Sequence, residues 1–361
     1  MKRLYPILFN NCSLYLYIKI TGTIFALYVF ALFTPLVDSE IYLKVSSDMG
    51  GAPFRTKIVH AIASCLNYIS NPLCTHLIFS LFSGIGILIV SYILKNKFIL
   101  LLLIAPSAFV WTSVVGKEAI FYGANSLLLV FWTIYIKDSH KNLNALTSIS
   151  ILSLLFLCII LRPHYSLALL YLFASSFILI TCKHKIFRTS LICFMLIMAS
   201  LTIFYFFVVA DAPYNLILHG YENISPSGFS SRHAFFNIDP SKPFLVFDKS
   251  LIFKYSFFSI IGPMPNELVR IEFVPFFFEG LMILLFPVFT FFYFQRKKLN
   301  DKYFLLFKLS LLPAIIMAFI IHAPFGILNP GSGMRWRVNF ELLFYAYPLI
   351  LVLLSRNGKN E

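Results

Sequence analysis

The chain has 361 residues, 59% of them hydrophobic and only 12% charged, with 42 Phe, 19 Tyr and a net charge of +14. So little polar surface excludes a soluble globule. The positive charge sits in short stretches between apolar runs, the pattern of membrane-protein loops, which excludes nucleic acid as the partner that neutralises it.

Apolar runs recur from Leu14 almost to the C-terminus, so the sequence predicts a single all-α polytopic membrane domain over residues 1–361. About ten transmembrane helices are expected, at roughly 14–36, 73–94, 98–115, 119–136, 146–161, 165–182, 189–210, 273–294, 303–323 and 339–354. The first follows Met1-Lys2-Arg3 without a small-residue cleavage site and reads as an uncleaved helix. The third and fourth spans, and the fifth and sixth, are so close in sequence that each pair forms a tight hairpin or is partly re-entrant. A segment of about 211–272, rich in Pro and aromatic residues, reads as an extracytoplasmic loop. Its Tyr214, Tyr221, Phe229, Phe235 and Phe236 either anchor it at the interface or stack on sugar faces. The six cysteines lack metal-ligand spacing, and only Cys65 and Cys74 have the position to pair outside the cytoplasm.

Lys and Arg bias sets the orientation. With both termini cytoplasmic, the inner loops hold Lys2 and Arg3, Lys95 and Lys97, Lys137 and Lys141, Lys183 to Arg188, Arg296 to Lys302, and Arg356 with Lys359. Four polar motifs then share the outer face: Gly116-Lys117-Glu118, Arg162-Pro163-His164, Pro265-Asn266-Glu267 and Gly331 to Arg337. Ionisable groups at the membrane boundary are costly, and several together mark a functional site.

Their residue types suggest the chemistry. Arg335 and Arg337, two apart beside Gly331-Ser332-Gly333, read as a Gly-rich turn with two guanidinium forks, a clamp for phosphate or diphosphate. Carboxylates able to take a proton are Asp38, Glu40, Asp48, Glu118, Glu267 and Glu272, with Glu279 and Glu341 inside spans. Each has an ordinary alternative. Lys117 and Glu118 snorkel at a hairpin tip, Arg162 caps a helix C-terminus, and Arg337 pairs with Glu341 four residues on.

The run Pro106 to Glu118, with Leu161 to His164, Gly262 to Glu267 and Asn329 to Arg337, resembles the motif string of multi-spanning proteins of bacterial surface-polysaccharide synthesis. That group is similar to Wzy-type O-antigen and exopolysaccharide polymerases, GT-C-like membrane glycosyltransferases. The resemblance implies polymerisation of undecaprenyl-diphosphate-linked oligosaccharide at the periplasmic face of a bacterial inner membrane, without nucleotide sugar, cofactor or metal, and with a chain-length regulator as a further partner. It implies Asp38, Glu118 or Glu267 as the catalytic carboxylate, and Lys117, Arg162, His164, Arg335 and Arg337 as ligands of the diphosphate and glycan. Glu118 stands where the group often has Asp, and Pro265-Asn266-Glu267 lacks the neighbouring Arg and Trp of the pattern. An O-antigen ligase uses the same donor on the same face. A polysaccharide flippase, which needs charges lining its spans, and a membrane O-acyltransferase, which needs a suitably placed His base, are the further alternatives.

Overall fold

The computed structural model describes residues 4–34, 36–44, 51–137, 144–182, 184–205, 252–297, 301–325 and 330–357. Every regular element among them is helical. Among the described residues eight helices are long and apolar enough to cross a membrane: Asn10–Leu32, Pro72–Ile93, Lys117–Lys137, Pro163–Thr181, Lys185–Phe204, Ile271–Arg296, Lys302–Ile321 and Gly333–Arg356, with Ala145–Leu161 a shorter apolar helix. By its internal packing the chain groups into two compact units, Met1–Ser166 and Leu167–Glu361.

The first unit is built from α1 (Leu4–Tyr28), α2 (Val37–Leu43), α3 (Phe54–Ile69), α4 (Pro72–Ile93), α5 (Pro106–Trp111), α6 (Lys117–Lys137) and α7 (Ala145–Leu161). Asn71 caps α4 by accepting from the Cys74 N–H at 2.9 Å, and Pro72 follows where no N–H is needed. Asn144 caps α7 through Thr147 in the same way. Side-chain contacts fix the directions. Asn11 meets Ser91 and Tyr15 meets Leu81, so α1 and α4 are antiparallel. Lys137 donates to the Ile93 carbonyl, Ser126 to that of Ser83, and the Val115 N–H to His76, so α4 and α6 run in the same direction. The two touch at Gly86, where an added Cβ would lie 2.1 Å from the Ser126 backbone, a small-residue contact of the kind that lets membrane helices approach closely.

Two parallel neighbours require the chain between them to cross the full depth of the unit. It does so, but not as the single helix expected at 98–115. Lys95, with φ 51°, adopts the left-handed conformation that ends α4, and the Asn96 N–H returns to the Ser91 carbonyl at 2.9 Å. A 3-10 stretch, Lys97–Ile104, then stops at Ala105. Pro106 has no N–H to donate and forces Ala105 to an extended ψ of 127°, so the helix restarts as the six-residue α5. Residues 112–116 are non-helical. Such backbone is tolerated at membrane depth only when protein surrounds it, and Thr112, Ser113, Val114 and Val115 are all buried.

Lys19, in the middle of α1, is 1% exposed, and its Nζ lies 2.8 Å from Thr112 Oγ1. Ser83 Oγ donates to the Thr112 carbonyl. The interrupted crossing is therefore held by polar groups from two neighbouring helices, a cation among them at the C-terminal end of α5, where the helix dipole is negative.

The second unit holds most of α8 (Pro163–Thr181), α9 (Lys185–Phe204), α10 (Ile252–Ile261), α11 (Val274–Lys297), α12 (Asp301–Leu306), which continues through one π turn into α13 (Leu312–Ile321), then α14 (Pro330–Arg337) and α15 (Glu341–Asn357). Phe291 and Phe294 of α11 pack on Phe304 and Phe307 as the chain turns back. At one end of α11, Glu279 meets Arg337, and towards the other Tyr293 accepts from Arg356, so α11 and α15 run in the same direction. Of the loop expected at about 211–272, residues 211–251 lie outside the described residues, with all five aromatic candidates. Asp48 lies outside them also. Residues 252–261 form the apolar α10 instead of loop; its Ile261 backbone is so close to Gly280 of α11 that an added Cβ would sit 2.3 Å from the Ile261 oxygen.

Candidate functional site

Five of the eight residues singled out in the sequence lie at one end of the first unit, where α1 gives way to α2 and where α4 and α6 begin. The single residue between α7 and α8 is Arg162, because Pro163 starts α8 at the position where its missing N–H costs nothing. The Arg162 guanidinium reaches across to the first turn of α6 and donates from Nη2 to Glu118 Oε1 at 2.5 Å, with side chains 1% and 2% exposed. A buried pair of this kind is strongly destabilised when one partner is removed. Arg162 stands at the C-cap of α7, as expected, its N–H returning to the Cys158 carbonyl at 2.8 Å, and its guanidinium adds an ion pair spanning 44 residues of sequence.

The non-helical segment ahead of Lys117 is pinned from both sides. His76 Nδ1 accepts from the Val115 N–H at 3.0 Å, and Ser39 Oγ donates to the Val115 carbonyl at 2.7 Å. The second bond ties the first turn of α2 to that segment. Asp38, next to that anchor, is half-buried, and Glu40 is exposed. Lys117 is half-buried; its Nζ donates to Thr56 Oγ1 of α3 at 3.2 Å and lies 6.0 Å from the centre of the Tyr42 ring. His164 is half-buried against Tyr165.

One cation here was not singled out in the sequence. Arg55, in the first turn of α3, is half-buried, and its Nε is buried without a hydrogen-bond partner. Burial, and then the nearby Arg162 guanidinium, lower its pKa from the usual arginine value. Arg162 thus pairs with the Glu118 carboxylate, Arg55 feels the Arg162 guanidinium, and Lys117, bonded to the neighbouring Thr56, adds an ammonium to the same end. Cations in partly buried surroundings suit the binding of an anion, and Asp38, half-buried, adjoins the Ser39 anchor at this end.

The remaining candidates lie in the second unit, where the geometry corrects the expected clamp. Pro330–Arg337 is a helix, not a Gly-rich turn. Side chains two apart on a helix diverge by roughly 200°, so Arg335 and Arg337 cannot grip one diphosphate together. Arg337 is fully buried: Nη1 donates to the Ile260 and Ile261 carbonyls, and Nη2 to the Phe276 carbonyl and the Glu279 carboxylate. It ties α10, α11 and α14 together. Gly262, at φ 85°, lets the backbone pass within contact of this guanidinium. Arg335 is half-buried. Glu267 is 8% exposed and its Oε2 accepts from the Met264 N–H at 2.7 Å, so it caps its own 3-10 turn rather than facing a substrate. Glu341 is buried in the first turn of α15, beyond a break at 338–340 that removes the helical spacing expected between it and Arg337.

Among the described residues no group of three or more His, Cys, Asp or Glu has metal-binding geometry, and Cys65 and Cys74 are both free thiols. The chain matches no family model, no curated protein and no solved structure.

Proposed function

We propose that the protein is a membrane glycosyltransferase of bacterial surface-polysaccharide synthesis, which polymerises oligosaccharide repeats carried on undecaprenyl diphosphate at the periplasmic face of the inner membrane. The observation that carries this reading is the gathering of Asp38, Lys117, Glu118, Arg162 and His164 at one end of the first unit. These residues come from two of the polar motifs and from the segment after α1, far apart in sequence, and Arg55 joins them.

In the reaction, a hydroxyl of the incoming lipid-linked repeat attacks the anomeric carbon of the growing chain. The bond from that carbon to the diphosphate oxygen breaks, and undecaprenyl diphosphate leaves. Asp38 takes the acceptor proton, as a general base within reach of solvent. Arg55 and Lys117 stabilise the charge on the departing diphosphate. Arg162 and Glu118, paired in the interior, hold the first turn of α6 so that Lys117 faces outward. Loop charge supports the orientation: Lys95, Lys97 and Lys137 lie at the opposite end of the first unit, and Arg296, Lys302 and Arg356 at the end of the second unit away from Arg337.

A deletion strain tests the reading. Lipid A carrying a single repeat unit is the expected phenotype. Absence of any repeat, with polymer accumulating on the lipid carrier, would show a ligase instead.

Lys19 favours one second reading. A charge buried within a span is the feature expected of a flippase. That reading predicts lipid-linked repeats trapped on the cytoplasmic leaflet of the deletion strain.

A further inference from the structure

The helix α3 (Phe54–Ile69) belongs to neither the spans nor the water-exposed loops. It has 16 residues and is not among the helices long and apolar enough to cross. Both of its ends are held at the same end of the first unit. Thr56 accepts from Lys117 at the start of α6, and Ile69 leads within three residues to Pro72, the start of α4, which runs parallel to α6. Its middle is tethered there too, with His60 bonded to the Lys44 carbonyl and Asn67 donating to the Leu43 carbonyl at the end of α2. A helix fixed at both ends on one side of the unit lies across that end instead of penetrating it.

Its two faces are both apolar. Val59 and Ala63 are buried against the unit. The opposite face presents Phe54, Ala61, Ile62, Cys65, Tyr68 and Ile69, all exposed, with Phe54 at 69%, Tyr68 at 82% and Ile69 at 75%. At 100° per residue these six fall within one arc. So much uncovered apolar surface on one helix marks an interaction site. Three features identify the occupant. The next element, the candidate span α4, also leaves apolar side chains uncovered, among them Leu73, Ile78 and Ile85. It holds a Tyr and a Phe, amphipathic or aromatic anchors of the membrane interface. Beside it stand Lys57, exposed, and Arg55, half-buried, cations of the kind that pair with lipid phosphates.

We infer that α3 is an interfacial helix, lying flat with its outer face sunk in the headgroup and upper acyl region of the bilayer. Arg55 and the site around Lys117 and Glu118 are then held at headgroup depth, reached from the plane of the membrane. The inference does not depend on the glycosyltransferase reading, and either can fail without the other.

Cys65 lies on the outer face and provides a native probe. In a variant with Cys12, Cys74, Cys158, Cys182 and Cys193 changed to Ser, a bimane label on Cys65 is placed in phosphatidylcholine–phosphatidylglycerol vesicles. Quenching is expected from lipids carrying a nitroxide near the headgroup, and little from aqueous iodide. Dominant iodide quenching, or strongest quenching by a nitroxide at the acyl-chain end, overturns the inference: the first puts the face in water or leaves it for a protein partner, the second makes α3 a span. Should that variant not fold, the native chain in the same vesicles is photolabelled with a lipid bearing a headgroup diazirine, and adducts are mapped by mass spectrometry. Adducts within 54–69 are expected; adducts on the spans alone overturn the inference.

Discussion

At the scale of single residues, the two buried arginines do different work from the half-buried ones. Arg337→Ala strands the Glu279 carboxylate and three backbone carbonyls inside the second unit, and a loss of roughly 3–5 kcal/mol is expected. It is read as a fall in the thermal midpoint of the detergent-solubilised protein and in membrane abundance. Arg335→Ala, at a half-buried position, is expected to change stability by less than about 1 kcal/mol. Equal stability of the two variants would restore the diphosphate clamp to consideration. In the first unit, Glu118→Gln should destabilise in the same way as Arg162→Met, and the double variant should lose less than the sum, the sign of a coupled pair in a thermal double-mutant cycle. The sequence made these residues conspicuous, because a charge stands out in a chain with 12% charged residues. It could not supply their partners, which lie 44 and 58 residues away. Nor could it show that residues 330–337 are helical, and that alone decides whether Arg335 and Arg337 point together or apart.

At the scale of elements, the crossing between α4 and α6 is the part of the fold that an apolar window reads least well. A run such as 98–115 has the hydropathy of a span whether or not it is one helix. Pro106 was the visible signal for the break, and Lys19 the hidden one, since a lone lysine in α1 gives no sign from sequence of what it meets. Lys19→Met removes the donor to Thr112 Oγ1. The expected result is increased labelling of a cysteine placed at Val114 in the non-helical segment, which is buried in the native protein, with Lys19→Arg restoring protection. The contact of α4 with α6 yields a second expectation. Gly86→Val forces side-chain atoms into the Ser126 backbone and should cost on the order of 1–3 kcal/mol, measured as a lowered thermal midpoint; Gly51→Val, where an added Cβ meets nothing within 4 Å, is the control. Arg55 escaped notice for a related reason. Its segment reads as an ordinary loop until the spacing of Val59, Ala63 and Leu66 against Phe54, Ile62 and Tyr68 is taken as a short two-faced helix.

At the scale of the whole molecule, an all-α membrane chain was legible from composition and apolar runs, because the bilayer admits few other structures, whereas about ten spans were expected and eight helices among the described residues are long and apolar enough to cross. The alternation of spans and charged loops grouped Asp38, Lys117, Glu118, Arg162 and His164 with Glu267, Arg335 and Arg337, and of these the first five belong to the first unit and the last three to the second. The division of the chain into two units was not legible, since it depends on which helices touch. The chemistry assigned to one end of the first unit rests on Asp38 and on the cations there, and it is tested most directly with purified protein in vesicles supplied with undecaprenyl-diphosphate-linked repeat units. The native chain should yield a ladder of longer glycans together with undecaprenyl diphosphate, and Asp38→Asn, at unchanged abundance, should yield none. No ladder from the native chain, or an undiminished ladder from Asp38→Asn, would contradict the account.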